Sequence, residues 1–324
     1  MQVQTKDRRK TGDMAVETRY NVEKHSFNVL KMNGFPVHKR HRIKTDGTAW
    51  SPNRRRRSAL IGSAFATCMH RCFVAFVSLV LLYKITLFVV NTGFDGGVTE
   101  TIEVFEFKRG ISILRHVKSI STEGRLMNDI LAVDKDSFYA TQYLEYYNNK
   151  YLSPLEIYGM LKLGKVWFYD GQEFKQVLSY LGYPNGINAS PDLSTIYIAE
   201  FWSKQINAFK RQKDNSLHLI QTVFIDTAPD NIEVDPVTGD LWIGCHARTH
   251  LLHKYEEVNG ESLSPSQVLK IKTKNGNLTS NIIEIFLDNG EFCSGSATAS
   301  YYKGRLLVGT VGTELIFCDV LYNP

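Results

Sequence analysis

Two stretches of this 324-residue chain are written on one template. Asn185–Ala199 reads NGINASPDLSTIYIA and Asp230–Gly244 reads DNIEVDPVTGDLWIG; a shift of 45 positions aligns them without a gap. Asn185 meets Asp230, Pro191 meets Pro236, Tyr197 meets Trp242 and Ala199 meets Gly244. A third copy, NDILAVDKDSFYAT, starts at Asn128 and is one residue shorter. A fourth, weaker copy is GSATASYYKGRLLVGT, with Gly295 and Ser296 where the others carry Asx residues. Each copy reads strand, turn, strand. The turns SPDLST, DPVTGD and YKGR hold the Pro, Asp and Gly that tight connections need. The runs that follow, IYIAEF, LWIGC and LLVGTV, are short, apolar and rich in β-formers. Units of this kind repeating every 40–50 residues or so predict an all-β fold, a β-propeller. A β-sandwich with similar hairpins is the rival.

In a propeller the innermost strand of every blade lines one central channel, so equivalent positions converge. Asn128, Asn185 and the Asp230–Asn231 pair would then point their oxygens at a common axis. Amide and carboxylate oxygens are the donors a hard cation such as Ca²⁺ takes, and neutral amides let several approach with limited mutual repulsion. The alternative is local: Asx residues also cap turns.

Charge is divided along the chain. Residues 1–71 carry 16 basic against 5 acidic side chains, and the remainder carries 22 against 28. Residues 1–58 read as a basic, irregular and disordered cytoplasmic segment. Residues 59–90 follow as a hydrophobic segment, a signal anchor with a transmembrane helix, and 91–324 as the propeller domain. The apolar core of the anchor, Cys72 to Val90, nearly spans a hydrocarbon layer as a helix. RRRR at Arg54–Arg57 and Arg71 precede it, so the positive-inside rule places the propeller outside the cell or in a lumen. A secreted protein is the alternative. The run lies too far from Met1 for a cleavable signal peptide. Its end, ITLFVVN, reads equally as a buried strand. The basic head lacks a nucleic-acid-binding motif, and no nucleic-acid partner is expected. The five cysteines show no CxxC spacing, which argues against a zinc or redox motif. Asn277-Leu-Thr279 is a glycosylation sequon.

The runs LMNDILAV, NGINASPD, VDPVTGDLWIGCH and SYYKGRLLVGTV resemble the serum paraoxonase/arylesterase family, over about Phe88 to Asp319. The resemblance implies a six-bladed propeller with two calcium ions in its tunnel, and hydrolysis of aryl esters or lactones. It implies Asn128, Asn185, Asp230 and Asn231 as ligands of a catalytic calcium, and Asp129 as a ligand of a deeper, structural one. It places Cys318 at one half of a closing disulfide, and Cys245 at an unpaired cysteine. His246 follows as a histidine does in the family, as a pocket wall or a surface residue. Tyr183, Pro184, Phe201 and Trp202 are expected near the tunnel mouth. Thr141 to Lys162 is expected to form a short helix over that mouth or a membrane contact.

The chain departs from the family's pattern in its first blade. No equivalent of the family's Glu-Asp calcium pair, or of the disulfide partner, is found in 1–87. VVN is followed by Thr92 where the family has a histidine, and Leu144 aligns with a second histidine. A propeller missing a blade, or one closed with fewer blades, is therefore expected beside the six-bladed type. Two functions follow. One is a calcium-dependent arylesterase or lactonase. The other is a non-catalytic, membrane-anchored accessory protein or chaperone for membrane-protein clients.

Overall fold

The structure, a computed structural model, describes residues 84–91, 100–108, 113–257, 262–312 and 315–320, together with the backbone of a few short strands upstream. The repeated turns form locally. In SPDLST, Asp192 Oδ1 accepts from the Ser190 hydroxyl and from the Ser194 N–H. In DPVTGD, Asp235 Oδ1 accepts from the N–H groups of Val237 and Thr238. Each turn reverses the chain into a hairpin, as an aspartate at the turn start favours.

The hairpins build five sheets in chain order, the blades of an all-β propeller. The first contains Lys84–Asn91, Thr101–Lys108 and Ile113–Ser121, with Val77–Leu81 paired at its edge. The second contains Leu126–Ala132, Phe138–Leu144, Gly164–Tyr169 and Phe174–Leu181. The third contains Pro184–Ala189, Thr195–Glu200, Gln205–Arg211 and Leu217–Phe224. The fourth contains Ala228–Val234, Leu241–His246, Ser266–Lys274 and Asn277–Asp288. The fifth contains Ser296–Tyr302, Arg305–Thr310 and Leu315–Val320, with Arg40–Ile43 running parallel to the last of these. A sixth blade is not present among the described residues, so the six-bladed expectation reduces to five blades there.

Blades pack face to face, and this explains why the second strand of each is apolar on both sides. Thr195–Glu200 and Leu241–His246 are buried along their whole length. Four apolar layers separate the blades. Phe88, Ile102, Met127 and Phe138 join the first to the second, and Tyr139, Val166, Ile187 and Ile196 join the second to the third. Ala199, Ile206, Ile232 and Ile243 join the third to the fourth, and Val268, Ala299, Leu306 and Val308 lie between fourth and fifth.

The aromatic of the repeat bridges these layers. The Tyr139 hydroxyl donates 2.8 Å to the Asn215 carbonyl in the outer hairpin of the next blade. Tyr197 does the same to the Gly276 carbonyl, also at 2.8 Å. Trp242, their counterpart, stacks on Tyr301 of the fifth blade at 4.4 Å and 6° between planes. Burial pushes the Tyr139 and Tyr197 hydroxyls up to about 12, so both remain donors at any physiological pH.

Backbones also meet directly. A Cβ on Gly186 would lie 2.6 Å from the Asp230 carbonyl oxygen, and one on Gly244 would lie 2.4 Å from the Ala297 carbonyl carbon. Both clashes are with backbone, which cannot swing away.

The transmembrane expectation is corrected at its C-terminal end. Lys84–Asn91 is a strand of the first blade, paired from Lys84↔Lys108 to Asn91↔Thr101. Phe88 and Val90 are buried in the layer shared with the second blade and Ile85 is buried as well, so the apolarity of ITLFVVN is core rather than lipid-facing. Among the described residues no helix is long and apolar enough to cross a membrane. Residues 59–76, and the basic head 1–58 apart from the short upstream strands, lie outside the described residues.

Replacing Gly244 by Ala is expected to cost roughly 1–3 kcal/mol through overpacking, read as a lowered thermal midpoint. Tyr197→Phe is expected to cost about 1 kcal/mol, because it leaves the Gly276 carbonyl without its partner.

Candidate functional site

All the inner strands begin at the same end of the channel. Asn128, Asn185, Asp230 and Ser296 lie in their first residues. Asn128, Asn185 and Asp230 are buried, at 6–7% exposure. The register explains the convergence: Leu126 pairs with Leu144, Pro184 with Glu200 and Ala228 with His246, so each strand opens at the rim where its neighbour ends.

Asp129 reaches across blades. Its Oδ2 accepts 2.9 Å from the Ile187 N–H of the third blade, and its Oδ1 accepts from the Ile130 N–H. Burial pushes its carboxyl up to about 7 against the pull of these two amides, and the Asp230 charge adds to the rise. Some of the residue's surface still faces the channel, but the protein around the carboxyl dominates its solvation. Asn231 Nδ2 donates to Asp230 Oδ1 at 3.1 Å and to the Ala297 carbonyl of the fifth blade at 2.9 Å. His246, 1% exposed, sets its Nε2 2.9 Å from Asp230 Oδ2. It is therefore a buried partner of a site residue and not a surface histidine. Its Nδ1 and the Asn185 Oδ1 are buried without a hydrogen-bond partner.

Orphaned oxygens are rare in folded proteins and call for an explanation. Asn185 Oδ1 at the channel mouth, beside two carboxylates that repel each other, is the environment of an oxygen-liganded cation. Among the described residues no group of three or more His, Cys, Asp or Glu side chains is placed to hold a metal. Amide oxygens would have to supply much of such a coordination shell.

An aromatic chain covers the same rim. Tyr143 meets Tyr183 at 4.9 Å, Tyr183 meets Trp202 at 4.7 Å and Phe201 at 5.4 Å, and Phe201 meets His246 at 5.8 Å. Leu144, at the position where the resemblance implies a histidine, is buried within this cluster; Thr92 lies outside the described residues. The Thr141–Lys162 stretch does contain a short helix, Leu152–Tyr158, tethered by Glu156, whose carboxylate accepts from the N–H groups of Glu145 and Tyr146. Tyr151, Leu155 and Tyr158 on and beside it are exposed.

Cys318 is a buried thiol outside any disulfide among the described residues, in the layer between fourth and fifth blades, and Cys245 and Cys293 are likewise buried. The possible disulfide partners Cys68 and Cys72 lie outside the described residues. Asn277 is exposed at the start of its strand. The residue that sequence reading missed is Glu100: it is 4% exposed, and burial pushes its carboxyl up to about 7. No motif marks it, because it precedes a strand by one residue in an unrepeated part of the chain.

A carboxyl whose folded value lies above its unfolded one favours the fold while protonated, and that contribution is lost as pH rises. For Asp129 the window runs from the unfolded value near about 4 to about 7. In the presence of a chelator the protein is expected to lose thermal stability between about pH 4 and 7. Asp129→Asn should flatten this slope, leaving the part that belongs to Glu100.

The arylesterase family model matches residues 83–320. Serum paraoxonase/arylesterase 1 of Mus musculus is 35% identical over 226 residues, 68% of this chain and 61% of that protein. Serum paraoxonase/arylesterase 2 of Homo sapiens is 34% identical over 238 residues, 72% and 64% of the two chains. The chain thus spans a little under two thirds of the length of these curated relatives. Among solved structures, a luciferin-regenerating enzyme aligns at TM-score 0.45 and 12% identity, covering 78% of this chain and 73% of its own. The periplasmic gluconolactonase PpgL of Pseudomonas aeruginosa aligns at TM-score 0.44 and 12% identity, covering 69% and 59%. With the family model matched along residues 83–320 and identities of 34–35% to these relatives, this chain belongs to the arylesterase family of the serum paraoxonases.

Proposed function

We propose that the chain is a calcium-dependent hydrolase of carboxylic esters, an arylesterase or lactonase acting on small ester substrates. The observation that carries this reading is the orphaned Asn185 Oδ1, buried at the start of an inner strand in a rim that also holds Asp129 and Asp230, close enough for the Asp230 charge to act on Asp129. Asn128, Asn185, Asp230 and Asn231 would hold one ion, and Asp129 a second, deeper one. Bound calcium would polarise the ester carbonyl and offset the negative charge growing on its oxygen. The chain's own residues set the stage for this. His246 fixes the direction of the Asp230 carboxylate through one oxygen. The Asn231 amide holds the other while anchoring to the fifth blade. Tyr143, Tyr183, Phe201 and Trp202 form an apolar rim that suits an aryl or lactone ring and excludes water from it.

A second reading is a non-catalytic accessory protein of membrane proteins, held at the membrane by the apolar segment before the first blade. Leu144 favours it, since an aliphatic side chain fills a rim position and can move no proton. In either case the propeller domain would sit outside the cell or in a lumen, with the exposed Asn277 available for glycosylation.

The two readings separate in one experiment. Phenyl acetate and a simple lactone are offered to the full chain with calcium and with a chelator. The hydrolase reading expects turnover lost on chelation and a calcium-dependent rise in thermal midpoint, which Asn185→Ala diminishes. A hundredfold excess of calcium over its Kd would add about 2.7 kcal/mol. A calcium-dependent midpoint without turnover would leave only the accessory reading standing.

A further inference from the structure

Five Asn-Gly pairs occur in the sequence, starting at Asn33, Asn185, Asn259, Asn275 and Asn289. An asparagine before glycine is prone to lose ammonia, because the glycine nitrogen, with no side chain beside it, can attack the amide carbon. The fold treats the pairs differently. Asn33 and Asn259 lie outside the described residues. Asn185 is buried, and Gly186 lies against the Asp230–Asn231 backbone. Gly290 is buried, and its N–H donates 2.8 Å to the Asp288 carboxylate. Asn275 differs on each count. It is exposed, and neither its side chain nor the Gly276 N–H is hydrogen-bonded to another described residue.

The pair is the two-residue turn between the third and fourth strands of the fourth blade, with Lys274 opposite Asn277. Both turn residues are left-handed, φ 53° at Asn275 and 77° at Gly276, as a tight hairpin of this kind demands. The turn is also an anchor. The Gly276 carbonyl receives the Tyr197 strut from the third blade, and a Cβ on Gly276 would lie 2.8 Å from Thr195 Oγ1. Two residues on, Leu278 uses its N–H and its carbonyl to exchange hydrogen bonds with the Gln221 amide of the third blade. The reactive group and the blade-to-blade contact therefore share the same two residues.

We propose that Asn275 is a site of spontaneous deamidation, and that its conversion to isoaspartate releases the fourth blade's hairpin from Tyr197. In the first step the Gly276 nitrogen gives its proton to solvent and bonds to the Asn275 side-chain carbon. The bond from that carbon to its NH2 group breaks, and ammonia leaves a five-membered imide. Water then opens the ring. Attack at the main-chain carbonyl gives isoaspartate, and attack at the side-chain carbonyl gives aspartate. Isoaspartate carries the main chain through the former side chain, so the turn lengthens by one carbon. A two-residue hairpin cannot absorb that carbon and keep the Gly276 carbonyl in place, because Thr195 and Tyr197 are buried in the third blade. Ring closure requires the turn to open locally, and the strut resists this opening. Strut and modification exclude one another.

The test ages the full chain, produced in bacteria so that Asn277 is bare, in mildly alkaline buffer at body temperature. Peptide mass spectrometry follows the change from amide to acid, with Asn259 read on its own peptide, and isoaspartate is labelled with a protein isoaspartyl methyltransferase. Asn275→Gly keeps the turn type and cannot react. Isoaspartate should accumulate at Asn275, and the thermal midpoint of the aged protein should fall about 2–4 °C further than that of aged Asn275→Gly. Tyr197→Phe, already without the strut, should react at Asn275 about fivefold faster. Its midpoint should fall on ageing no further than that of Tyr197→Phe combined with Asn275→Gly. An Asn275 that stays intact while Asn259 reacts to completion overturns the assignment. So does isoaspartate at Asn275 with a midpoint loss equal to that of Asn275→Gly.

Discussion

Everything in this fold depends on one inner strand being stitched to the next. The stitches are side-chain hydrogen bonds to a neighbouring backbone. Asp129 accepts from Ile187 N–H, Asn188 donates to the Ile232 carbonyl, and Asn231 donates to the Ala297 carbonyl. Thr141 adds another, to the Asn185 carbonyl. Gly186 and Gly244 permit the approach, since any Cβ there would meet the adjacent backbone. Buried polar groups joined in this way specify a single register, because a slip of one residue would orphan them all.

The site follows from the same stitching. The Asx positions of the repeat were open to two readings, cation ligands or local caps, and the structure divides the work. Asp129 and Asn231 tie blades together, while Asn185 presents an oxygen with nothing to receive. Burial above all, with a smaller contribution from the nearby Asp230 charge, raises the Asp129 carboxyl to about 7. A cation would offset that charge. The residues that tie the inner strands together are thus the same ones that would meet a bound ion, and under the proposed function folding and binding would be coupled through them.

Much of this was legible in the sequence where the repeat made it so. Tyr197 and Trp242, forty-five residues apart, carry equivalent struts, and Asn128, Asn185 and Asp230 do open three inner strands. The first blade was not legible, because Lys84–Asn91 has no copy elsewhere and its apolar run suits lipid and core equally. Only the pairing with Thr101–Lys108 separates the two. His246 was ambiguous for a similar reason: a lone histidine has no period, and its role depends on the Asp230 carboxylate that meets it in space. Glu100 lay beyond sequence reading, since its burial comes from Thr122 and Tyr147, residues 22 and 47 positions away.

The tyrosine struts give the wheel a direction. Each brace runs from a blade to the outer hairpin of the blade made after it: Tyr139 must wait 76 residues for Asn215, and Tyr197 must wait 79 for Gly276. At about 5–20 residues per second of synthesis, a finished blade stays unlatched for roughly 4–16 s. During that interval its apolar face is open to whatever else is nearby. The emerging chain is therefore a partner-seeking surface long before it is a closed domain, and its yield in a cell depends on what shields that face in the meantime.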